Sequence, residues 1–535
     1  MSLEEVYTPF LSSRVAARKL MSFWDKTTPA SVKPHPQPID LGAGMPNEGL
    51  FPIESVHLNV VDHPFQHTEY KFRSSRLHRD ASSGAASSDT VVAADGSPRN
   101  ERELVSQKFQ NGSIVDMWRY EPENPGAIPI YTGFQYSNTR GLDPMLDFCY
   151  KFVEYANPPS YKDWDITFAN GSSDSLFKVF ETLADASVTV LVEEFSFSPT
   201  ISNITATGAV PIPIKVSVTG DPEEQGIDVE FLSNLLENWS ESQYSHLSKP
   251  RLLYTIPTGQ NPTGMTLSLE KRKQIYALAE THNFLIVEDD PYGYLRFPTY
   301  DPENPSYNPY QAGEYTVDQY RKEVLSTSFL SLDTSGRVIR CETFSKVFFP
   351  GLRFSFIVGN KFLISKILDF GDVSTRAASG VSQMMVNNVI QKWAPNFTSP
   401  QEAWLSWVMK VASQYTHRRN ILYEALQATD AFKDGLFTMV PVTAGMFAAL
   451  QIRFEKFPNI KDHAQAMQQL FYILIEEGVK VVLGVNMAVC KKFSSERSHF
   501  MRVTYAHAAS DEEMQEAAKR LSKGILRLLA TSSAA

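Results

Sequence analysis

Residues 343–346 have the sequence TFSK and residues 350–353 have the sequence PGLR, so that Lys346 stands among hydroxyl side chains, seven residues before an arginine. A lysine that forms a Schiff base must be neutral, and burial or neighbouring positive charge lowers its pKa towards that state. Thr343, Ser345 and the arginine could bind a phosphate, and the arginine would also supply that charge. The stretch therefore favours a site for a phosphorylated aldehyde cofactor.

Three polar side chains follow two apolar segments that are typical of buried strands. The segment LLYTI, residues 252–256, runs into a turn rich in Pro, Gly and Asn that displays Asn261. The segment FLIV, residues 284–287, is followed by Asp289 and Tyr292. Ligands of doubly wound sheets bind at the carboxyl ends of the strands. We therefore predict that these three side chains share one site with the lysine.

Each of these residue types has a task in the chemistry of pyridoxal phosphate. An acid beside the pyridine nitrogen keeps the ring protonated, so that the ring can accept the electrons released when the substrate's α C–H bond breaks. We assign this task to Asp289. Asn261 and Tyr292 could hydrogen-bond the ring's phenolate oxygen and fix its tilt. Lys346 would anchor the cofactor and then carry a proton as general base and acid.

These motifs together resemble the fold-type I, class I/II pyridoxal-phosphate aminotransferases, and among them the fungal aromatic aminotransferases and the 2-aminoadipate/kynurenine aminotransferases. The resemblance runs from about residue 41 to the C-terminus, apart from two insertions. It is carried by LGAGMPN (41–47), QYS (135–137), NGS (170–172), NPTG (261–264), EDDPY (288–292), SK (345–346) and MRV (501–503). The resemblance implies an α/β fold with a mostly parallel, seven-stranded-type sheet in a large domain, and a smaller α/β domain.

The resemblance also implies further contacts to pyridoxal 5'-phosphate. Ser172 and Ser173 precede an apolar helical pattern, and the N–H groups at such a helix start could bind the phosphate. Phe197 matches the aromatic residue that stacks on the ring, where close relatives often carry tyrosine. The implied cofactor-binding residues are Tyr136, Ser172, Ser173, Phe197, Asn261, Asp289, Tyr292, Thr343, Ser345, Lys346 and Arg353.

The resemblance gives other residues roles towards the substrate and a second subunit. Arg502 matches the arginine that holds the substrate's α-carboxylate through a paired, charge-assisted contact, beside Asn261. Tyr136 matches a tyrosine that reaches the phosphate of the neighbouring subunit, which implies a homodimer with shared active sites. Arg18 and Gly44 resemble parts of a lid over the substrate side chain.

The order of the motifs, together with the alternation of strand-like and helical segments, predicts three regions of the chain. Residues 1–130 would form an N-terminal arm or lid and part of the small domain, residues 131–363 the large cofactor-binding domain, and residues 364–535 the interdomain helices and the C-terminal small domain. Residues from about 70 to 110 are rich in Ser, Ala, Asp and charge, and we predict a mobile surface insertion there. A second insertion, about 300–335, could shape substrate access or contact a partner.

Composition narrows the class of protein. The formal net charge of −10 offers no basic surface suited to nucleic acid. Cys149, Cys341 and Cys490 show neither CxxC nor metal-ligand spacing, so we expect free thiols and no metal. No apolar run approaches the roughly 20 residues that span a bilayer, and no signal peptide is evident, so we expect a cytoplasmic protein without membrane contact.

Each assignment has a structural alternative. Lys346 alone could be an ordinary exposed lysine, and Asp289 and Asn261 could be simple turn residues. Ser172 and Ser173 could cap the following helix, and an aromatic residue such as the one at 197 could pack in the core. The joint order of the motifs, rather than any single one, favours the catalytic interpretation.

The function we expect is the transfer of the amino group of phenylalanine, tyrosine or tryptophan to 2-oxoglutarate or another 2-oxo acid, with ping-pong kinetics. Kynurenine and 2-aminoadipate are the next candidate donors. Two rivals are another enzyme on the same fold, such as a β-lyase, and a cofactor-binding regulator without turnover. The regulator would need a basic N-terminal winged helix, and the residues before Leu41 are too few for one.

Overall fold

The computed structural model describes residues 2–18, 45–64, 90–92, 98–100, 113–120, 124–508 and 510–534. Within these residues, no helix is sufficiently long and apolar to cross a membrane. The same residues contain no group of three or more His, Cys, Asp and Glu side chains that could hold a metal ion.

The strands and helices alternate along much of the chain. The strands are β1 (Ser55–Val60), β2 (Thr90–Val92), β3 (Pro98–Asn100), β4 (Ser113–Trp118), β5 (Trp164–Ala169), β6 (Thr189–Glu193), β7 (Val210–Ile214), β8 (Val216–Ser217), β9 (Gly226–Ile227), β10 (Leu252–Thr255), β11 (Leu285–Asp289), β12 (Val338–Thr343), β13 (Ser355–Asn360), β14 (Phe437–Met439), β15 (Phe447–Ile452), β16 (Val482–Leu483) and β17 (Phe500–Thr504). The helices are α1 (Leu3–Tyr7), α2 (Ser13–Ala16), α3 (Ile130–Gly133), α4 (Asp143–Ala156), α5 (Ser172–Leu183), α6 (Ser198–Ala206), α7 (Val229–Glu237), α8 (Leu269–His282), α9 (Val317–Gln319), α10 (Phe329–Leu332), α11 (Lys361–Val373), α12 (Gly380–Trp393), α13 (Pro400–Gln427), α14 (Asp430–Lys433), α15 (His463–Glu476) and α16 (Asp511–Ala534).

A seven-stranded sheet forms the centre of the molecule, in the order β5-β13-β12-β11-β10-β6-β7. Only β13 runs against the other strands of this sheet, so the prediction of a mostly parallel seven-stranded sheet is confirmed. Its central strands are buried along their whole length, which is why their sequences are continuous apolar runs rather than alternating ones. The carboxyl ends of β6, β10, β11 and β12 meet at one edge.

Helices connect the parallel strands, as such connections require. Helix α8 shows how the sequence sets its ends. The Ser268 side chain accepts a hydrogen bond from the Lys271 backbone, and Asn283 ends the helix in the left-handed conformation at φ 55°. Asparagine tolerates that conformation better than most residues. The chain thereby turns directly into β11.

A second, antiparallel sheet has the order β14-β15-β17-β16, and helices α15 and α16 pack against each other. The apolar runs GMFAAL (445–450), VKVVL (479–483) and FMRVT (500–504) are typical of strands, and they overlap β15, β16 and β17 respectively. Backbone hydrogen bonds join the segment that precedes β15 to the segment that follows β11. Phe297 N donates to Thr443 O at 2.9 Å, and Gly445 N donates to Leu295 O at 3.1 Å. The proposed domain limits near 130 and 363 stay a prediction.

The two predicted insertions differ in what the structure describes. Of residues 70–110, only β2 and β3 are described, and they pair antiparallel; the rest of this predicted insertion lies outside the described residues. Residues 300–335 pack against the long helix α13, where Asn308 Nδ2 donates to Ser413 O at 2.9 Å. The Tyr320 hydroxyl, fully buried, donates to Tyr294 O at 2.6 Å.

Candidate active site

Lys346 lies on the turn that follows β12, with its side chain half-buried. Aromatic packing holds this turn in place. The Phe344 ring stacks on the Phe354 ring with centroids 5.0 Å apart, and Trp407 Nε1 donates to the Val347 carbonyl oxygen at 2.7 Å. The lysine is therefore carried by a backbone segment that is fixed on both sides.

The surroundings of Lys346 favour its neutral amine. Burial is the main cause that lowers the pKa of Lys346, and the positive charge of Arg353 lowers it further, while Asp289 acts in the opposite direction. The sequence analysis required this combination of burial and neighbouring positive charge for a lysine that reacts with an aldehyde.

The predicted phosphate ligands form a cradle at the start of helix α5. Gly171 precedes the helix with φ 84°, and a Cβ atom there would collide with the guanidinium of Arg353. Ser172 and Ser173 are the first helical residues, with Ser173 and Arg353 exposed to solvent. Helix N–H groups, hydroxyls and a guanidinium together are suited to a phosphate dianion.

The other two predicted hydroxyl ligands belong to the lysine-bearing turn. Thr343 Oγ1 donates to Ser345 Oγ at 2.9 Å and accepts from the Ser345 backbone N–H at 3.1 Å. A hydrogen bond of 2.8 Å between Ser175 Oγ of α5 and Ser355 Oγ of β13 ties the helix to the strand that follows Arg353. The turn and the helix start are thus fixed relative to the same sheet edge.

Asp289 ends β11 and is buried. Its Oδ2 accepts a hydrogen bond from the Tyr254 hydroxyl at 2.8 Å, whereas its buried Oδ1 has no partner among the described residues. Burial raises the pKa of Asp289 to about 7, opposed by the Tyr254 hydrogen bond and by the charges of Lys346 and Arg340. An unpartnered carboxylate oxygen in such surroundings fits the protonated nitrogen of a pyridine ring. With the phosphate cradle, this donor set fits pyridoxal phosphate.

A second group of predicted residues surrounds Arg502 on β17. Arg502 Nη1 donates to Asn261 Oδ1 at 2.7 Å, and its guanidinium lies over the Phe447 ring, 4.3 Å from the centroid. The Tyr292 ring meets Phe447 edge-on at 6.2 Å. Burial lowers the pKa of Arg502, and burial raises that of Tyr292, so the phenol keeps its proton. The guanidinium is oriented before any substrate carboxylate binds.

Two glycines fix the distance between the turn that bears Asn261 and the strand that leads to Phe447. Gly259 has φ 57° and Gly445 has φ 81°, a region that favours glycine. A Cβ atom on Gly259 would lie 2.7 Å from the Gly445 Cα, and one on Gly445 would lie 2.8 Å from the Gly259 carbonyl oxygen. The two backbones are therefore in direct contact.

The remaining predicted residues belong to other segments of the chain. Phe197 follows β6, is half-buried and starts helix α6. Tyr136 has 77% of its side chain exposed. Arg18 packs its guanidinium over the Phe370 ring of α11, 5.0 Å from the centroid. Gly44 lies outside the described residues.

The sequence analysis missed a buried acid that supports the Asn261 turn. Glu193, at the end of β6, accepts hydrogen bonds from the Ile256 backbone at 3.1 Å and from Gln260 Nε2 at 3.2 Å. Gln260 Oε1 in turn accepts from the Thr263 hydroxyl at 2.6 Å. Burial raises the pKa of Glu193 to about 7. In the sequence, Glu193 directly follows the apolar run VTVLV (188–192), and this position is also typical of an ordinary strand end.

A buried ionic cluster lies beneath the site and was also missed. Arg340 of β12 pairs with Glu288 at 3.0 Å, with Asp290 at 2.9 Å and with Glu342 at 2.6 Å. All four side chains are almost fully buried. Buried charges require such partners. The pairs hold the end of β11, where Asp289 stands between two of these acids, against β12.

Known proteins are similar to this chain over most of its length. The family model for aminotransferase class I and II matches residues 131–521. The aromatic amino acid aminotransferase 2 of Saccharomyces cerevisiae is 44% identical over 537 aligned residues, covering 98% of this chain and 96% of that protein. The mitochondrial kynurenine/alpha-aminoadipate aminotransferase of Mus musculus is 30% identical, covering 81% of this chain and 91% of that protein.

A solved structure is similar over nearly the whole length. The crystal structure of the aromatic aminotransferase Aro9 from C. albicans has a TM-score of 0.83 and 38% sequence identity, covering 98% of both chains. The similarity therefore extends beyond the central sheet to the second sheet and the N-terminal strands.

Proposed function

The chain belongs to the class I and II aminotransferases, and from this we propose that it transfers the amino group of phenylalanine, tyrosine and tryptophan to 2-oxoglutarate or another 2-oxo acid. The observation that carries the proposal is the 44% identity to a yeast aromatic amino acid aminotransferase across 98% of this chain. The reaction would be ping-pong, because one site serves the donor and the acceptor in turn.

We propose that Asp289, Lys346 and the cradle around Arg353 hold pyridoxal phosphate. When bound, this cofactor supplies an aldehyde that takes up an amine and a ring that accepts electrons from the α carbon. Asp289 Oδ1 would hold the proton on the ring nitrogen, and the proposal is supported by the fact that this buried oxygen has no partner among the residues that the structure describes. Lys346 would carry a proton from the substrate's α carbon to the carbon of the cofactor's aldehyde group.

We propose that Arg502 binds the α-carboxylate of every amino and oxo acid that the enzyme accepts. Its hydrogen bond to Asn261 Oδ1 at 2.7 Å and its contact with the Phe447 ring support this role, because both hold the guanidinium in one orientation. Paired contacts from such a guanidinium to a carboxylate are strong and directional. Substrates would thus be aligned by their shared group, whatever their side chain.

The assembly and location are also part of the proposal. The exposed side chain of Tyr136 supports a homodimer in which this tyrosine contacts the phosphate of the neighbouring subunit. Location in the cytosol stays a prediction from the sequence.

A second candidate function is the transamination of kynurenine or 2-aminoadipate. It is supported by the 30% identity to the mouse kynurenine/alpha-aminoadipate aminotransferase over 81% of this chain. The carboxylate and cofactor contacts would serve either donor class, so the two candidates differ only in the side-chain pocket.

The test is a half-reaction followed by its reversal. The purified protein, loaded with pyridoxal phosphate, is mixed with each donor without acceptor, and its near-ultraviolet and visible absorbance is recorded. An aromatic donor should convert the long-wavelength band to a shorter-wavelength band once, and 2-oxoglutarate should restore it. Values of kcat/KM for all five donors then rank them. Larger values for kynurenine or 2-aminoadipate would favour the second candidate, and turnover without any acceptor would refute both.

A further inference from the structure

Tyr254 is a fully buried tyrosine in the middle of the central sheet. It lies on β10, between β6 and β11, directly opposite Val287 of β11. Side chains two residues apart on a strand share a face, so Asp289 projects from the same face as Val287. The phenol runs along this face towards the carboxyl end of the sheet. Its hydroxyl donates to Asp289 Oδ2 at 2.8 Å.

This hydrogen bond fixes the rotation of the Asp289 carboxyl group. With Oδ2 held by Tyr254, Oδ1 is the oxygen left buried and unpartnered among the described residues. We propose that Tyr254 is a positioning residue, which holds Asp289 so that Oδ1 faces the ring nitrogen of pyridoxal phosphate. This inference rests on the proposed function, since it assigns a task towards the same cofactor.

Towards Asp289, Tyr254 acts as a hydrogen-bond donor. Burial, together with the charge of Asp289, holds the pKa of the phenol well above its ordinary value, so its proton stays in place. The buried ring packs edge-on against Phe180 of α5, with centroids 6.0 Å apart, and this packing restrains the phenol beside the carboxyl group. A neutral donor of this kind stabilises the ionised form of its acceptor.

Other groups around Asp289 act in both directions. The charges of Lys346 and Arg340 favour the ionised carboxylate, and those of Asp290 and Glu193 oppose it. Burial raises the pKa values of the Cys341 thiol and the Tyr292 phenol, so both stay neutral. The balance is close, because burial raises the pKa of Asp289 to about 7. The hydrogen bond from Tyr254 to Oδ2 acts in the same direction as the charges of Lys346 and Arg340 and favours the ionised carboxylate.

The test compares Tyr254→Phe with Tyr276→Phe in the full-length protein. Tyr276 makes the same kind of bond elsewhere, from its hydroxyl to Asp333 Oδ1 at 2.9 Å, and is not part of the site. Tyr254→Phe should weaken the affinity for pyridoxal phosphate about tenfold or more, as expected for a lost hydrogen bond to a charged group, and should lower kcat more than it raises KM for phenylalanine. Tyr276→Phe should leave affinity, kcat and KM close to the wild-type values.

Two further measurements separate positioning from a general structural effect. The pH profile of cofactor affinity should move to higher pH in Tyr254→Phe, because the carboxylate has lost a donor. In the Asp289→Asn background, Tyr254→Phe should have little further effect on affinity, because its acceptor is no longer a carboxylate. An equal loss in both backgrounds, or an unchanged pH profile, would overturn the proposal.

The two proposals fail in different ways. A wild-type protein that takes up no pyridoxal phosphate and shows no half-reaction would refute the proposed function. A wild-type protein that binds the cofactor and reacts, with a Tyr254→Phe variant that matches it in affinity, kcat and pH profile, would refute only the role of Tyr254. The substitution removes one oxygen and keeps the ring, and thermal unfolding of the variant checks that the fold is retained.

Discussion

Lys346 combines burial with the nearby charge of Arg353, and both lower its pKa. Lys346→Ala should remove nearly all turnover but retain part of the affinity for pyridoxal phosphate, because the phosphate cradle is unchanged. Steady-state rates and equilibrium dialysis measure the two effects. Lys410→Ala is the matched control, since burial also lowers the pKa of Lys410, whose amine donates instead to the Asp62 carbonyl oxygen at 2.7 Å. Full activity of Lys346→Ala would exclude the assignment.

Arg502 should affect all substrates alike. Arg502→Ala should raise KM about tenfold or more for each amino acid and each oxo acid, the loss expected for a charge-assisted contact. Initial rates with several donors and acceptors measure this, with Arg453→Ala as the control because Arg453 pairs with Glu455 at the surface. An increase confined to one donor would contradict a contact with the shared carboxylate.

Asp289 should make the cofactor-free protein less stable as the pH rises. An aspartate in an unfolded chain has a pKa of about 4, whereas burial raises the pKa of Asp289 to about 7 in the folded chain. Between these values the unfolded chain is the more ionised, so stability falls with increasing pH, and the loss is complete above the folded pKa. Asp289→Asn should therefore raise the free energy of unfolding at about pH 8 by about 1–3 kcal/mol, measured by urea unfolding of cofactor-free protein.

The control for this prediction is pH itself. At about pH 4 the Asp289 carboxyl group is largely protonated in the folded chain and half protonated in the unfolded chain, so the variant and the wild type should differ little. The same gain at both pH values would show that packing, rather than ionisation, explains the stabilisation.

At the residue scale, the order of the motifs in the sequence predicts the reactive side chains. It does not predict the buried side chains that hold them in place. Asn261 and Arg502 could be proposed to share a site, and the structure brings them to 2.7 Å. Tyr254 and Glu193 could not be proposed, because each occupies a position inside or closing an apolar strand, where core packing is the usual explanation. Their acceptors and donors lie on neighbouring strands, and strand order is not written in the local sequence.

At the element scale, the start of helix α5 should be sensitive to substitution, because Gly171 lies against Arg353 there. Gly171→Ala places a methyl group against the Arg353 guanidinium in a backbone region that favours glycine. The arginine would be displaced from the cradle, so affinity for pyridoxal phosphate should fall about tenfold or more, since a charge-assisted contact is lost. Fluorescence titration with the cofactor measures the change.

Gly313→Ala is the matched control for Gly171→Ala. Gly313 has φ 72°, but its Cβ position has no neighbour within 4 Å, so this variant has the backbone strain without the collision. It should lower stability by about 1 kcal/mol and leave cofactor affinity unchanged. Equal losses of affinity in both variants would mean that strain, not displacement of Arg353, is responsible.

The limits of a strand were predicted well where the hydrophobic pattern determines them. They were predicted less well where a contact between two distant backbone segments determines them. The apolar run at 252–256 became β10 almost residue for residue. The run at 445–450 became a strand only from Phe447, because Gly445 has a positive φ and lies against Gly259. No local pattern shows that two distant turns will meet there.

At the scale of the whole molecule, one ion pair joins the end of β6 to the segment that precedes β17. Arg497 Nη2 contacts the fully buried Glu194 at 2.8 Å, while Glu194 Oε1 also accepts from the Val216 backbone. Arg497→Ala leaves a buried carboxylate without its cation and should lower the stability by about 3 kcal/mol, measured by urea unfolding.

The comparison for Arg497→Ala is Arg520→Ala. Arg520 pairs with Glu516 on the exposed side of α16, and such surface pairs contribute little. The loss in Arg497→Ala should clearly exceed that in Arg520→Ala. Comparable losses of stability in the two variants would show that the ion pair between Arg497 and Glu194 contributes no more than a surface pair.

The general architecture was accessible from the sequence, because alternating strands and helices are typical of a parallel sheet with covering helices. The packing of residues 300–335 could not be predicted from the sequence. This segment is rich in Pro, Asn and Tyr and has no helical or strand period, yet Tyr310 and Tyr320 are buried in it against neighbouring segments. Isolated aromatic residues in an irregular segment do not reveal which surface they will cover.

The contact between Gly259 and Gly445 bears on how such an enzyme could change its substrates. No side chain from either residue separates the two backbones, so main-chain atoms alone set the distance between the turn that bears Asn261 and the segment that precedes β15. Strand β15 pairs with β17, which carries Arg502. Substitutions around the substrate's side chain can then alter donor preference without moving the carboxylate contact. Recognition of the common group and recognition of the variable group can then evolve separately, whereas a side chain at either glycine would push the two backbones apart and disturb the carboxylate contact.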